Sequence, residues 1–404
     1  MRAKAFAAVA EHGVERPHLR VACLCGVVLF LEGYDIAAVG YAIPSLVDAW
    51  RVVPSAFTGA LTAGNVGLLL GSLGAGLLGD RLGRKPMLVG CTAVFGVFSL
   101  LAAFAGSPSQ LAGLRFLTGL GLGGGIPLTI ALASDFAPPN VQGRLVILMS
   151  MGIPIGFAIG GLLASRLVAV FGWSAIFVVG GVLPLAMVPL LALRLPESVV
   201  LSAVARRSNP VVDLFRDGLA PSTVLLWAMN LLNLLSLYLI KLWMPALLHV
   251  TGLSPSWAIF GATVYALGLI LGGLLTASVA DRMGVEPVVT CGLAIGASCM
   301  LSVGLFDPPF WLLMVLLCGT GIGAGGCQAG LNSLAGRIYG PAIRSTGAGW
   351  ALGVGRVGTV VGPLLGGVLL ALGFQVRDIF VVAAIPVFGV TVLMAILGRL
   401  RRSW

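Results

Sequence analysis

Long apolar runs recur a dozen times along the chain, each broken by a few polar or turn-forming residues. They read as helical spans over about 19–47, 54–79, 87–106, 110–136, 144–171, 174–194, 222–250, 255–280, 286–306, 309–339, 343–372 and 376–398. Each approaches or exceeds the roughly 20 residues that a helix needs to cross a bilayer. Pro54, Pro86, Ser107-Pro108, Pro138-Pro139, Pro308-Pro309 and Pro341 punctuate them. The predicted fold is an all-α membrane protein of 12 transmembrane helices.

The runs repeat as well as recur. Gly79-Asp80-Arg81-Leu82-Gly83 matches Ala280-Asp281-Arg282-Met283-Gly284 at an offset of 201, and the glycine run from Gly119 matches that from Gly319. A constant offset with equal span parity predicts two six-helix bundles of like orientation, 1–194 and 222–404, joined by a linker at 195–221. Such halves are related by an axis along the membrane normal, with substrate bound between them near the midplane.

Composition agrees with lipid as the solvent. Residues AVILMFWYC make up 58% of the 404, and Asp, Glu, Lys and Arg only 9%, against about 25% charged in soluble domains. The net charge of +10 does not point to nucleic acid, because no basic cluster sits on a soluble domain. With the N-terminus inside, 18 of the 24 Lys/Arg lie on the cytoplasmic side and only Arg51, Arg166 and Arg377 on the other. That asymmetry predicts cytoplasmic termini. The seven cysteines lie in apolar segments without metal or disulfide spacing. The long first run with mixed charges before it does not read as a cleavable signal.

Charges inside spans are costly and therefore functional candidates. They are Glu32, Asp35, Arg115, Lys241 and Arg356. Glu32 and Asp35 are spaced i, i+3 and share a helix face. Burial favours the neutral acid, and two neighbouring carboxylates resist ionising together, which suits proton coupling; a static hydrogen-bonded pair is the rival. Arg115 lies at a depth comparable to Asp35, so a pair between them is expected, either switched or static. Arg356 lies roughly 20 Å from the inner face, where a guanidinium could hold a carboxylate or tie helices together. Lys241 either contacts substrate or snorkels outward.

Tyr34, Tyr238 and Trp350 are candidate cavity aromatics, with packing as the alternative. Gln328 and Asn332, i and i+4, suit either substrate hydroxyls or helix packing. At the cytoplasmic loops, Asp80, Arg81, Arg84, Asp135, Arg144, Asp281 and Arg282 read as a gate of charge-assisted bonds. A solvated basic loop is the alternative. The G-x-G-x-x-G runs follow no strand, so the dinucleotide reading fails, and no Walker A sequence is present.

GDRLGRKP between spans 2 and 3 resembles the signature loop of the major facilitator superfamily. LEGYDIAAVGYAIPSL, RFLTGLGLGGGIP, LPES and GLNSLAGRIYGPAIRSTGAGWALGVGRVGTVVGPLLGG resemble its aromatic acid:proton symporter family. The first departs from that family's commonest Asp-Gly-Phe-Asp by carrying Glu32-Gly33-Tyr34-Asp35. The resemblance implies the major facilitator fold and a functional Arg115. It also implies proton-coupled import of a benzoate, hydroxybenzoate or hydroxyphenylpropionate type acid across a bacterial inner membrane, serving aromatic catabolism. The expected partners are the acid, the proton and lipid, with a monomer as the working unit. No enzyme activity, cofactor or metal is expected. An exporter of organic acids or drugs shares the same fold and gates. A membrane sensor would need a signalling domain for which linker and tails leave little room.

Overall fold

The structure is a computed structural model that describes residues 16–136, 149–196, 211–216, 218–339 and 343–402. Twelve helical stretches among them are long and apolar enough to cross a membrane. Span 1 is Arg16–Trp50, span 2 Thr58–Leu82, span 3 Arg84–Ala102, and span 4 two helices, Pro108–Leu122 and Gly125–Phe136. Span 5 is Gly152–Phe171, span 6 Ser174–Arg194, span 7 Ala220–Val250, span 8 Pro255–Met283 and span 9 Val285–Leu305. Span 10 is broken into Phe310–Thr320, a π-helical turn Gly321–Gly325, Gln328–Ser333 and Ala335–Ile338. Spans 11 and 12 are Arg344–Ala371 and Val376–Arg402.

The sequence signals act where expected. Ser107 caps span 4 by accepting a hydrogen bond from the Gln110 backbone N–H, with Pro108 at the first helical position. The tight reversals after spans 2 and 8 are made by Gly83 (φ 100°) and Gly284 (φ 86°), a backbone conformation that a side chain would strain.

Two six-helix bundles repeat one packing scheme. In the first, span 1 packs on span 5, span 2 on span 4, and span 3 on span 6; in the second, span 7 packs on span 11, 8 on 10, and 9 on 12. Small residues set these distances. A Cβ at Gly71 of span 2 would overlap the Leu120 carbonyl, and one at Gly272, its partner in the repeat, would overlap that of Ile322. At Gly156 of span 5 it would overlap the Phe30 carbonyl of span 1. Helix backbone cannot step aside, so Gly156→Ala should lower stability by about 1–3 kcal/mol. Gly90, where an added Cβ meets nothing within 4 Å, is the control. The check is thermal unfolding in detergent, and equal melting of the two variants would contradict the packing.

Twelve crossings put the start of span 1 and the end of span 12 on one face, called here the terminus face. The bundles touch toward the opposite face. There Gly40 of span 1 meets the Leu242 carbonyl of span 7, Gly161 of span 5 meets Thr263 of span 8, and Thr58 of span 2 meets Gly367 of span 11. Gly353 and Gly349 lie on the Gly367 side of span 11, nearer the terminus face, and open onto empty space. The bundles are therefore closed at the opposite face and apart at the terminus face.

Candidate functional site

Asp35 is fully buried in span 1 and held from two helices. Arg115 Nη1 of span 4 donates to its Oδ2 at 2.8 Å, and Nη2 to the Asp35 backbone carbonyl at 2.9 Å. Ser99 of span 3 donates a hydrogen bond to Oδ1. The expected pair is thus in contact, with a third partner that the sequence did not signal. Both carboxyl oxygens of Asp35 are thereby hydrogen-bonded in an apolar interior.

Glu32, one turn earlier, is treated differently. It is 1% exposed, and its Oε1 has no hydrogen-bond partner among the described residues. Its carboxyl lies against Gly125, where span 4 restarts after its break, and a Cβ at Gly125 would overlap it. The glycine run of span 4 therefore makes room for an acid side chain.

Across the gap, Arg356 of span 11 makes no ion pair among the described residues and lies within electrostatic range of Glu32 and of the Tyr238 hydroxyl. Lys241 is 6% exposed. Its Nζ lies 4.5 Å from the ring centre of Phe157 in span 5 and 5.0 Å from that of Tyr238, a cation–π arrangement with one ring from each bundle. The ammonium is thus enclosed between the bundles rather than extended outward along span 7. Two cations thus flank Tyr238, and among the described residues neither has a carboxylate within 4 Å.

Two aromatic candidates belong elsewhere. Tyr34 is buried and donates its hydroxyl to the Ile176 carbonyl at 2.8 Å, packing span 1 on span 6. Trp350 stacks on Trp227 with ring centres 5.6 Å apart. It lies about 120° around span 11 from Arg356, so the two are not on one face. Gln328 is fully engaged. Its Nε2 donates to Asn230 and Asn332, and its Oε1 accepts from Asn233. Asn230 and Asn233 were legible as intramembrane amides at i, i+3 of span 7 but were not singled out. Phe157 and Ser99 carried no signal distinguishing them from neighbouring apolar and small residues.

The Major Facilitator Superfamily model matches residues 25–262 and 226–403. The chain belongs to this superfamily. The 3-(3-hydroxy-phenyl)propionate transporter of Escherichia coli (strain K12) is 37% identical, covering 94% of this chain and 94% of its own length. The gallate transporter of Pseudomonas putida is 32% identical, covering 94% and 91%. A 4-hydroxybenzoate transporter of Pseudomonas putida is 31% identical, covering 96% and 94%. These relatives place the chain in the family of aromatic-acid transporters, which are multi-pass membrane proteins and not enzymes. Among solved structures, a bacterial homolog of the human lysosomal transporter Spinster, inward-facing and occupied, has a TM-score of 0.77 at 17% identity, covering 96% of this chain and 98% of its own. The D-xylose-proton symporter has a TM-score of 0.74 at 16% identity, covering 91% and 97%. At these identities the likeness is one of fold.

In this facilitator the charged loops of the terminus face, expected to form a gate, are described in part. Arg84 Nη1 donates to the Ala131 carbonyl of span 4 at 3.0 Å, and Arg282 is exposed at the end of span 8. Arg144 lies outside the described residues, as do the side chains of Asp80, Arg81, Asp135 and Asp281.

The opposite face carries a contact that the sequence did not predict. His249 of span 7 lies 3.2 Å by Nε2 from Asp48 Oδ1 of span 1, and 2.8 Å by Nδ1 from the Leu253 carbonyl. Both ring nitrogens face acceptors. The pair bridges the bundles where they close. Being partly exposed, it is worth at most about 1 kcal/mol. Asp48→Ala should therefore speed maleimide labelling of a Thr58→Cys reporter by up to about fivefold. No change in labelling would show that the pair does not hold this face shut.

Proposed function

We propose that the chain imports an aromatic carboxylate together with a proton by alternating access, with the terminus face cytoplasmic. In this reading, residues 1–194 and 222–404 rock about the bound substrate, joined by the segment 195–221. The observation that carries it is the pair of cations around Tyr238, Arg356 and Lys241, without carboxylate partners and walled by aromatic rings. Such a cavity suits an anion on an aromatic body. The relatives that transport gallate, 4-hydroxybenzoate and 3-(3-hydroxy-phenyl)propionate support the same substrate class.

Charge supplies the coupling. Glu32 belongs to one bundle and Arg356 to the other, and with the site empty the Arg356 guanidinium is the counter-charge available to Glu32. A substrate carboxylate that takes Arg356 cancels that charge. An unpaired buried carboxylate is costly, so Glu32 then carries a proton. Anion and proton thereby bind cooperatively, each favouring the other by the same factor. Asp35, satisfied by Arg115 and Ser99, holds the framework of span 1 beside it and transmits its state to span 4. The charged loops at Asp80 and Asp281, with Arg81, Arg84, Asp135, Arg144 and Arg282, remake their contacts as the bundles rock.

The test is uptake of a labelled aromatic-acid panel into proteoliposomes with and without an imposed proton gradient, corrected for protein-free vesicles. Gradient-stimulated uptake of at least one acid is expected. Its absence across the panel would overturn the reading.

A further inference from the structure

The second bundle contains a polar assembly that proton coupling leaves unused. Asn230 and Asn233 of span 7 are wholly buried. Gln328 Nε2 donates to Asn230 Oδ1 at 3.0 Å and to Asn332 Oδ1 at 2.8 Å, while Asn233 Nδ2 donates to Gln328 Oε1 at 2.7 Å. Asn233 Nδ2 also reaches the Ala324 carbonyl of the π-helical turn at 3.1 Å. Four amides in one chain inside a membrane span are expensive and ask for a role. Helix packing accounts for the buried members, which satisfy one another. It leaves two groups over: the Asn332 amide nitrogen, which has no partner among the described residues, and Asn233 Oδ1, buried and also without one.

The position of the assembly is informative. The offset of 201 that relates Asp80 to Asp281 also relates Glu32 to Asn233. Each lies against the break in its bundle's inner helix, Glu32 at Gly125 and Asn233 at Ala324. Where the first bundle has an acid, the second has a neutral group that both donates and accepts. Span 10 packs on span 9 through Gly330 against Val289. Asn332 lies about 160° around the helix from that contact; it is exposed and shares Gln328 with Asn230 of span 7. Along span 7, Asn233 and Lys241 share a face about 12 Å apart. That rise leaves room for an arene whose carboxylate reaches the cations around Tyr238 while a polar substituent reaches the amides.

We propose that this amide ladder is a specificity subsite for a ring hydroxyl, so that the substrate is a hydroxylated aromatic carboxylate rather than an unsubstituted one. The proposal rests on the aromatic-carboxylate reading above. A phenolic hydroxyl accepts a hydrogen bond from the Asn332 amide and donates one to an amide carbonyl of the ladder. An uncharged subsite takes a hydroxyl, whereas a second carboxylate would go to a cation. A site built to bond a hydroxyl discriminates against the analogue that lacks it, because its own polar groups are then left unpaired.

The experiment is direct binding of benzoate and its 3- and 4-hydroxy derivatives to the purified full chain by calorimetry, in wild type, Asn332→Ala and Asn332→Gln. The wild type should bind a hydroxylated acid about tenfold or more tighter than benzoate. Asn332→Ala should reduce that ratio about fivefold, and Asn332→Gln should restore part of it. A purely structural role would weaken all three acids alike and leave the ratio unchanged, which would overturn the proposal, as would a wild type that does not discriminate. Failure to bind any of the acids would instead bring down the aromatic-carboxylate reading, and this proposal with it.

Discussion

Glu32→Gln is expected to abolish accumulation of the acid against its gradient while leaving counterflow exchange intact. The substitution keeps the shape of the protonated side chain against Gly125 but has no proton to release. Under a pH difference of two units, one coupled proton sets a ceiling of about 100-fold accumulation, since each factor of ten is about 1.4 kcal/mol. The variant should reach about onefold. The measurement is the steady-state ratio of labelled acid inside and outside proteoliposomes, together with exchange of labelled for unlabelled acid at equal pH. Loss of both would mean that Glu32 is needed for the rocking motion itself. Retained accumulation would remove it from the proton path.

Arg356→Gln has the second largest expected effect. A guanidinium holds a carboxylate by charge-assisted, commonly bidentate hydrogen bonds, and a bond to a charged group contributes about 1.5–3 kcal/mol. With Lys241 still present, the affinity for the transported acid should fall about 10- to 150-fold. The Lys241 ammonium is a point charge without a planar pair of donors, so it does not reproduce the fork. The measurement is binding affinity, not uptake alone, because the substitution also removes the charge that faces Glu32. Unchanged affinity would show that the carboxylate is anchored elsewhere, with Lys241 and its two rings the next site to examine.

Depth along each helix was legible in the sequence. Counting 1.5 Å per residue placed Asp35 and Arg115 at one level, and the structure brings them into contact. Direction around each helix was less so, because it depends on which helix packs where. Tyr34 sits between Glu32 and Asp35 in sequence, yet its hydroxyl turns to Ile176 of span 6. Trp350 is six residues from Arg356 but meets Trp227 instead. The glycine runs announced close helix approach without saying that the one in span 4 accommodates Glu32. Ser99 was unreadable, because a serine in an apolar span usually returns its hydroxyl to its own helix. The repeat was plain in the loops, but its most informative pair, Glu32 and Asn233, differs in residue type and emerged only when both were seen against broken helices.

The central claim is that anion and proton enter together, and proton movement tests it most directly. A pulse of aromatic acid at matched pH, added to weakly buffered, de-energised proteoliposomes, should alkalinise the outside medium in proportion to the acid taken up. Protein-free vesicles set the baseline, and the Glu32→Gln protein should stay at that baseline. Uptake of the acid by the wild-type chain with no change in external pH would contradict the account.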